Sequence, residues 1–157
     1  MKKIIILVGI PCSGKSTYTK TLSKSFDKYT VIISRDNIRE FGWLFKQPYK
    51  FSKKNEDLVT QEFNRIFNLW LEPERECSAI CLDNTHVKEK YIDSIITEHL
   101  DCIIEVKFFD TSLLKAHYRN IIRYITTGKW IPISVMNNMY KSYNKINKQK
   151  YAKYMVH

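Results

Sequence analysis

Hydrophobic and polar residues fall into blocks along this chain, and the period changes from block to block. Ile4-Ile5-Ile6-Leu7-Val8 is an unbroken apolar run. It lacks the alternation of a half-exposed strand, so it predicts a strand near residues 3–8 buried on both faces, as in a parallel sheet. A helix-competent segment follows from Ser16 to about Phe26, then a second β-rich run, Tyr29 to Ser34, which ends in the polar cluster Arg35-Asp36-Asn37-Ile38-Arg39-Glu40. Residues 42–51 are aromatic and irregular and read as a surface connection. From Lys54 to Leu71, Val59, Phe63, Ile66, Phe67 and Trp70 keep a 3.6-residue period, predicting a core-facing helix that stops before Pro73. Ala79 to Asp83 is the third strand. Residues 87–99 form a helix with Tyr91, Ile92, Ile95 and Ile96 on one face. Ile103 to Phe109 is the fourth strand. Asp110, Thr111 or Ser112 then caps a helix broken at Gly128, and Pro132 opens a final helix with Ile133, Met136, Tyr140 and Tyr143 on one face. The lysine-rich tail from Lys145 is expected to fray. Strands alternating with helices predict an α/β fold, a small doubly wound parallel sheet of about four strands in one domain spanning residues 1–157.

Where the first strand ends, Gly9-Ile10-Pro11-Cys12-Ser13-Gly14-Lys15-Ser16-Thr17 fits G-x-x-x-x-G-K-[ST]. Strand, glycine-rich turn and helix start are the context in which this pattern means a phosphate-binding loop. Gly9 and Gly14 let the backbone turn and approach a ligand closely. The loop N–H groups and the helix dipole then converge on an anion. Lys15 can reach terminal phosphates and the Ser16 hydroxyl can ligate Mg²⁺, with Ser13 and Thr17 beside them. The expected ligand is a nucleoside triphosphate, and the expected class is the P-loop NTPase fold, adenylate-kinase-like, with a C-terminal helical lid region. Ligands of open α/β sheets sit beyond the carboxyl ends of strands. That places the cluster after the second strand where chemistry occurs, although Asp36 could equally be a helix N-cap. Asp83, an acid at the end of an apolar strand, matches a Walker-B position.

Composition narrows the partners. The chain has 157 residues, 44% of them hydrophobic, and no apolar run of about 18, so no membrane span is expected. Lys2-Lys3 ahead of the first apolar run look like the start of a signal peptide. The run is too short for one and leads into the phosphate loop, so it reads as a core strand. Cys12, Cys77, Cys81 and Cys102 show no metal-ligand spacing beyond a lone C-x-x-x-C, Cys77 to Cys81, and read as reduced thiols in a cytoplasmic protein. His86, His99, His117 and His157 show no ligand spacing either. The net charge of +10 is concentrated: residues 111–157 hold nine Lys or Arg and no Asp or Glu, with Tyr118, Tyr124, Tyr140, Tyr143, Tyr151 and Tyr154 among them. Cations interleaved with aromatics suit a surface that follows a nucleic-acid backbone; a solvated basic helix gives the same pattern.

Taken together, Gly9 to Thr17, Arg35-Asp36 with Arg39, Asp83, Phe109-Asp110, Arg119-Asn120 with Arg123, and Pro132-Ile133 followed by Met139-Tyr140-Lys141-Ser142 resemble the kinase half of the bacteriophage polynucleotide kinase–phosphatases over nearly the whole chain. The resemblance implies transfer of the ATP γ-phosphoryl group to the 5′-hydroxyl of DNA or RNA in end repair. It implies that Lys15 neutralises the β and γ phosphates, Ser16 holds Mg²⁺, Asp36 accepts the hydroxyl proton, and Arg39 and Asp83 serve the acceptor side. Asp83 could instead order metal-bound water. Arg123 would stabilise the transferring group and Arg119 would contact the nucleotide or the sheet edge; Arg35 is structural or touches the strand. The 3′-phosphatase half has no counterpart here and no D-x-D-x-[TV] motif occurs, so end healing would need a phosphatase or ligase on another polypeptide. Two other readings stand beside this one: a P-loop kinase of a small hydroxylated acceptor such as a nucleoside, and a non-catalytic ATP-dependent nucleic-acid binder.

Overall fold

A computed structural model describes residues 1–25, 30–45 and 49–155. Phe26, Tyr29, residues 46–48 and His157 lie outside the described residues. The elements run β1 (Lys3–Val8), α1 (Lys15–Ser25), β2 (Thr30–Ser34), α2 (Arg35–Arg39), α3 (Lys53–Leu71), β3 (Ala79–Asp83), α4 (Glu89–Glu98), β4 (Ile103–Phe108), α5 (Leu113–Thr127) and α6 (Ile133–Asn144), followed by a 3₁₀ helix, Lys148–Tyr154.

The four strands form one parallel sheet in the order β2-β3-β1-β4. β1 is therefore internal, which is why its apolar run needs no polar alternation. Its even positions, Ile4, Ile6 and Val8, enter the larger core with Val59, Phe63 and Phe67 of α3 and Ile92 of α4. Its odd positions, Ile5 and Leu7, meet Leu22 of α1 and Cys81 on the other face. The chain leaves β1 toward β3 and β2, then crosses back over β1 to reach β4. Connections diverge at the carboxyl end of β1, the position where open α/β sheets bind ligands. No helix of the described residues is long and apolar enough to cross a membrane.

Three local rules set the helix ends. Ser52 accepts from the Asn55 N–H to cap α3, and Ser112, rather than Asp110 or Thr111, accepts from the Lys115 N–H to cap α5. Gly128 ends α5 with φ of 69°, a left-handed turn whose N–H bonds back to the Tyr124 carbonyl. Asp36 lies in the first turn of α2, not at its N-cap, which is Ser34.

Several expectations change. Tyr91 of α4 and Ile133 of α6 are half-exposed; period alone does not decide which edge of an apolar stripe meets the body, and Ile92 and Met136 take the buried positions. The 42–51 stretch is not wholly a surface connection, because Phe45 is buried and packs edge-on against Tyr49. The tail does not fray. Tyr151 is 1% exposed, its hydroxyl donates to Asp93 Oδ1 at 2.9 Å, and Met155 bridges to Val106 beside β4. Tyr143 is also buried, donating to Asp110 Oδ1 at 2.9 Å, so two of the six C-terminal tyrosines are core residues rather than surface ones.

Candidate active site

The phosphate loop and the strand end leading into it are held by two backbone contacts and one side-chain hydroxyl. Gly9 N–H donates to the Thr85 carbonyl at 3.0 Å, and Phe109 N–H donates to Val8 at 2.8 Å. The Thr111 hydroxyl donates to the Ser13 carbonyl at 3.0 Å. Gly9 cannot be enlarged easily: a Cβ there would stand 2.7 Å from Ser13 Oγ and 2.9 Å from Phe109 Cβ. Gly14 sits at φ of 109°, and Cys12, with φ of 61°, also adopts the left-handed region that non-glycine residues rarely occupy. Cys12 thus contributes backbone: its carbonyl accepts from Arg119 Nη1 at 3.0 Å, tying α5 to the loop. Cys12 through Thr17, with Arg119, line a cleft of about 260 Å³.

Lys15 is buried within this loop. Its ammonium donates to the Gly9 and Ile10 carbonyls at 2.8 Å each and to Ser13 Oγ at 3.4 Å. Burial lowers its pKa to about 8, against the opposing pull of Asp83, Cys12 and Asp36. The half-buried Asp83, at the end of β3 and in register with Ser34, has its pKa raised by burial and by Asp36, with Lys15 pulling the other way. Among the described residues no hydrogen bond reaches the Asp83 carboxylate. A tight glycine-rich cradle, an anion-seeking ammonium, the exposed Ser16 hydroxyl and an under-satisfied carboxylate fit a nucleotide polyphosphate with a hard divalent cation.

The second cluster lies at the end of β2. Asp36 is more than half exposed and accepts from two arginines: Arg39 Nη1 at 2.7 Å on Oδ1 and Arg123 Nη2 at 3.3 Å on Oδ2. Arg123 belongs to α5, so α5 touches both the loop, through Arg119, and Asp36. Arg39 is itself gripped from behind. Its Nε and Nη2 donate to the two oxygens of Glu56, each at 2.8 Å, a bidentate pair. Glu56 also accepts from Tyr49 at 2.8 Å and Arg35 Nη2 at 3.2 Å. Burial works to raise the Glu56 pKa, but these donors overcome it and hold the carboxyl at about 2. Burial likewise works against Arg39, and Glu56 with Asp36 still lifts its pKa above the ordinary range. Arg35 bonds to Glu56 and Thr60 and so braces α2 against α3.

The structure therefore brings Lys15, Asp36, Arg39, Asp83 and Arg123 into one electrostatically coupled group, with Gly9, Ser13, Gly14, Ser16, Thr17 and Arg119 around the loop. Glu56 and Thr111 were not foreseen. Glu56 carries no motif; an acid in the first turn of a helix ordinarily serves only the helix dipole. His86 is a core residue: fully buried, with Nδ1 3.0 Å from the Leu7 carbonyl, its pKa is pushed down to about 4 by burial.

A family model described as an AAA domain matches residues 4–146. The chain belongs to the AAA domain family. Its fold is that of the P-loop kinases. The L-seryl-tRNA(Sec) kinase of Methanococcus maripaludis is 27% identical over 146 residues, which are 90% of this AAA domain and 52% of that protein. A chain of the Pnkp1/Rnl/Hen1 RNA repair complex superposes with a TM-score of 0.78 at 23% identity, over 95% of this chain and 46% of that one. Kti12 of Chaetomium thermophilum, solved with ADP-AlF3, does so with a TM-score of 0.68 at 16% identity, over 93% and 82%. The AAA domain spans about half the length of the curated relative it matches.

Proposed function

We propose that this AAA domain is an ATP- and Mg²⁺-dependent kinase that phosphorylates the 5′-hydroxyl end of a polynucleotide. The observation that carries the reading is Asp36, a carboxylate held between Arg39 and Arg123 beyond the end of β2, one strand removed from β1 and within electrostatic reach of Lys15. An alcohol is a poor nucleophile, and a loose phosphoryl-transfer transition state asks the base chiefly to aim it. Ser16, with Asp83 as the nearby acid, would hold Mg²⁺, and the ion would supply positive charge to offset the negative charge of the phosphates.

The geometry suggests how the site converts from rest to transfer. Lys15 exchanges the Gly9 and Ile10 carbonyls for the β and γ phosphates. Arg123 has the longer of the two contacts to Asp36, at 3.3 Å against 2.7 Å, and is the arginine that yields to the γ-phosphoryl group. Its departure uncovers Oδ2 for the acceptor hydroxyl, while Arg39, locked by Glu56, keeps the carboxylate aimed. The hydroxyl oxygen then bonds to the γ-phosphorus, the bond to the β-bridging oxygen breaks, ADP leaves, and Asp36 holds the proton. Arg119 steadies the nucleotide side of the loop. The basic C-terminal third supports a polyanionic acceptor, and phosphatase and ligase activities are the chemistry such a kinase would work beside.

The relatives support a hydroxyl carried on RNA, one being named for a seryl-tRNA and another for an RNA repair complex. The test is transfer from γ-labelled ATP to matched 5′-hydroxyl DNA and RNA oligonucleotides, alongside seryl-tRNA and a panel of nucleosides. Asp36→Ala should lose transfer to the oligonucleotide and keep ATP affinity. Labelling of seryl-tRNA or nucleosides alone would reassign the acceptor, and no labelling at all would leave a nucleotide-dependent binder.

A further inference from the structure

Helix α5 is built inside out. It buries Ala116 and Asn120 against the body and turns Arg119 and Arg123 to the site, whereas its large apolar residues point to solvent. Leu114 is 83% exposed, Tyr118 65%, Ile121 48% and Ile125 75%, with Ile122 alongside at 41%. Leu114, Tyr118, Ile121 and Ile125 are spaced 4-3-4, the seam spacing of packed helices, and they lie opposite Ala116 on the helical period. Single exposed apolar residues are ordinary, but a contiguous stripe of five is an interaction surface.

We infer that this stripe is the interface of a homodimer, formed by antiparallel packing of α5 against α5 of a second copy. The 4-3-4 spacing is symmetric about its centre. A two-fold axis there sets Leu114 against Ile125 and Tyr118 against Ile121, twice over, as an isologous interface demands. Covered completely, the five residues would bury at most about 600 Å² per copy, the low end of a standard interface. Nothing on α5 selects a different partner by charge: it has no carboxylate, and Lys115 is its one exposed cation. In the antiparallel pair the two Lys115 positions lie toward opposite ends, about 13 Å apart along the axis. That separation exceeds the ~8 Å screening length at physiological salt, so the copies' shared positive charge does not forbid contact.

Sedimentation velocity of the intact chain between about 1 and 100 µM should show a mass moving from 18.8 kDa toward twice that value. Ile125→Glu buries an unpaired carboxylate in the seam and should weaken association about 100-fold or more. Its circular dichroism and ATP affinity should stay those of the parent, since the position is exposed in the single chain. Mixing Leu114→Cys and Ile125→Cys proteins under mild oxidation should give mixed disulfide dimers, with neither variant cross-linking to itself through the new thiol. A parent chain that stays monomeric at about 100 µM overturns the inference and leaves the stripe to a partner of other sequence. A dimer untouched by Ile125→Glu overturns it as well.

Discussion

Replacing Glu56 by Gln tests the arrangement that aims Asp36. The change keeps the shape of the side chain and removes its charge. In the parent, four donors converge on this carboxylate: Arg39 twice and Tyr49 at 2.8 Å, and Arg35 at 3.2 Å. An amide presents one oxygen instead of two and turns an N–H₂ group toward guanidinium donors. Burial alone would raise the Glu56 pKa; the converging donors instead lower it from 4.5 to about 2. A difference of that size corresponds to at most ~3 kcal/mol. Solvent reaches part of the group, and screening reduces the figure to ~2 kcal/mol. Glu56→Gln should therefore cost about 2 kcal/mol at pH 7, or ~4–8 °C in Tm for a chain of this size.

The sign of the pH dependence follows from linkage. A carboxylate whose folded pKa is depressed contributes its full stability above the unfolded value, here 4.5, and loses it as pH falls toward about 2. Urea unfolding of both proteins at a series of pH values should show a constant gap from pH 7 to about 5. Below that the two curves should converge, because the parent becomes protonated and resembles the variant. The difference is the quantity to read, since Asp93 and Asp110, both with lowered pKa, also lose stability in acid in both proteins. On the proposed mechanism kcat should fall ~10-fold or more with the KM for ATP unchanged, as Asp36 loses its fixed orientation. A gap that persists undiminished at pH 3, or none at pH 7, refutes the reasoning.

Three further outcomes are expected. Gly9→Ala places a Cβ 2.9 Å from Phe109 Cβ, which cannot rotate away as Ser13 Oγ can; it should cost ~1–3 kcal/mol in thermal unfolding and weaken ATP binding at least ~10-fold, and parent-like binding would contradict the close approach. Lys15, lowered to about 8 by burial, should regain its proton when phosphates replace the loop carbonyls, so ATP affinity should be level up to about pH 8 and then fall by up to ~10-fold per pH unit; a flat titration with fluorescent nucleotide from pH 7 to 9.5 would exclude this. Tyr151→Ala should cost ~3–5 kcal/mol in denaturant unfolding, whereas a cost below ~1 kcal/mol would mean that the tail is not part of the core.

The phosphate loop was legible because its chemistry is local: strand, glycines and helix start occupy one continuous stretch, and Gly9, Gly14 and Lys15 act through backbone and charge. Asp36 and Asp83 were legible because strand ends in a parallel sheet converge, so an acid after an apolar run already has a place. Glu56 was not. Its meaning arises from Arg39, seventeen positions earlier, across a connection whose course no spacing rule predicts. The tail was hidden by composition, since its lysines mask Tyr151 and Ile146, which close the core beside β4. Along α5 periodicity is misleading in principle: the apolar stripe marks a face that seeks burial, but not which molecule buries it.

The resting site is closed upon itself, and this shapes how any phosphate must enter. Lys15 is satisfied by loop carbonyls, Arg119 by the Cys12 carbonyl, Arg39 by Glu56 and Asp36, and Arg123 by Asp36. Binding is therefore an exchange of partners rather than an addition of new ones, and its net gain depends on how weakly each resting contact is held. The resting contacts are graded. Arg39 is clamped by a bidentate pair, whereas Arg123 has one contact at 3.3 Å to a carboxylate open to water, where such pairs contribute little. Arg119 and Arg123 also lie one turn apart on α5, so a polyphosphate that draws one shifts the surroundings of the other. Under the proposed mechanism, filling the donor side first is then what frees Asp36 for the acceptor. Because the Arg123 contact is long and open to water, this sets a preference for the donor first rather than a block on the acceptor.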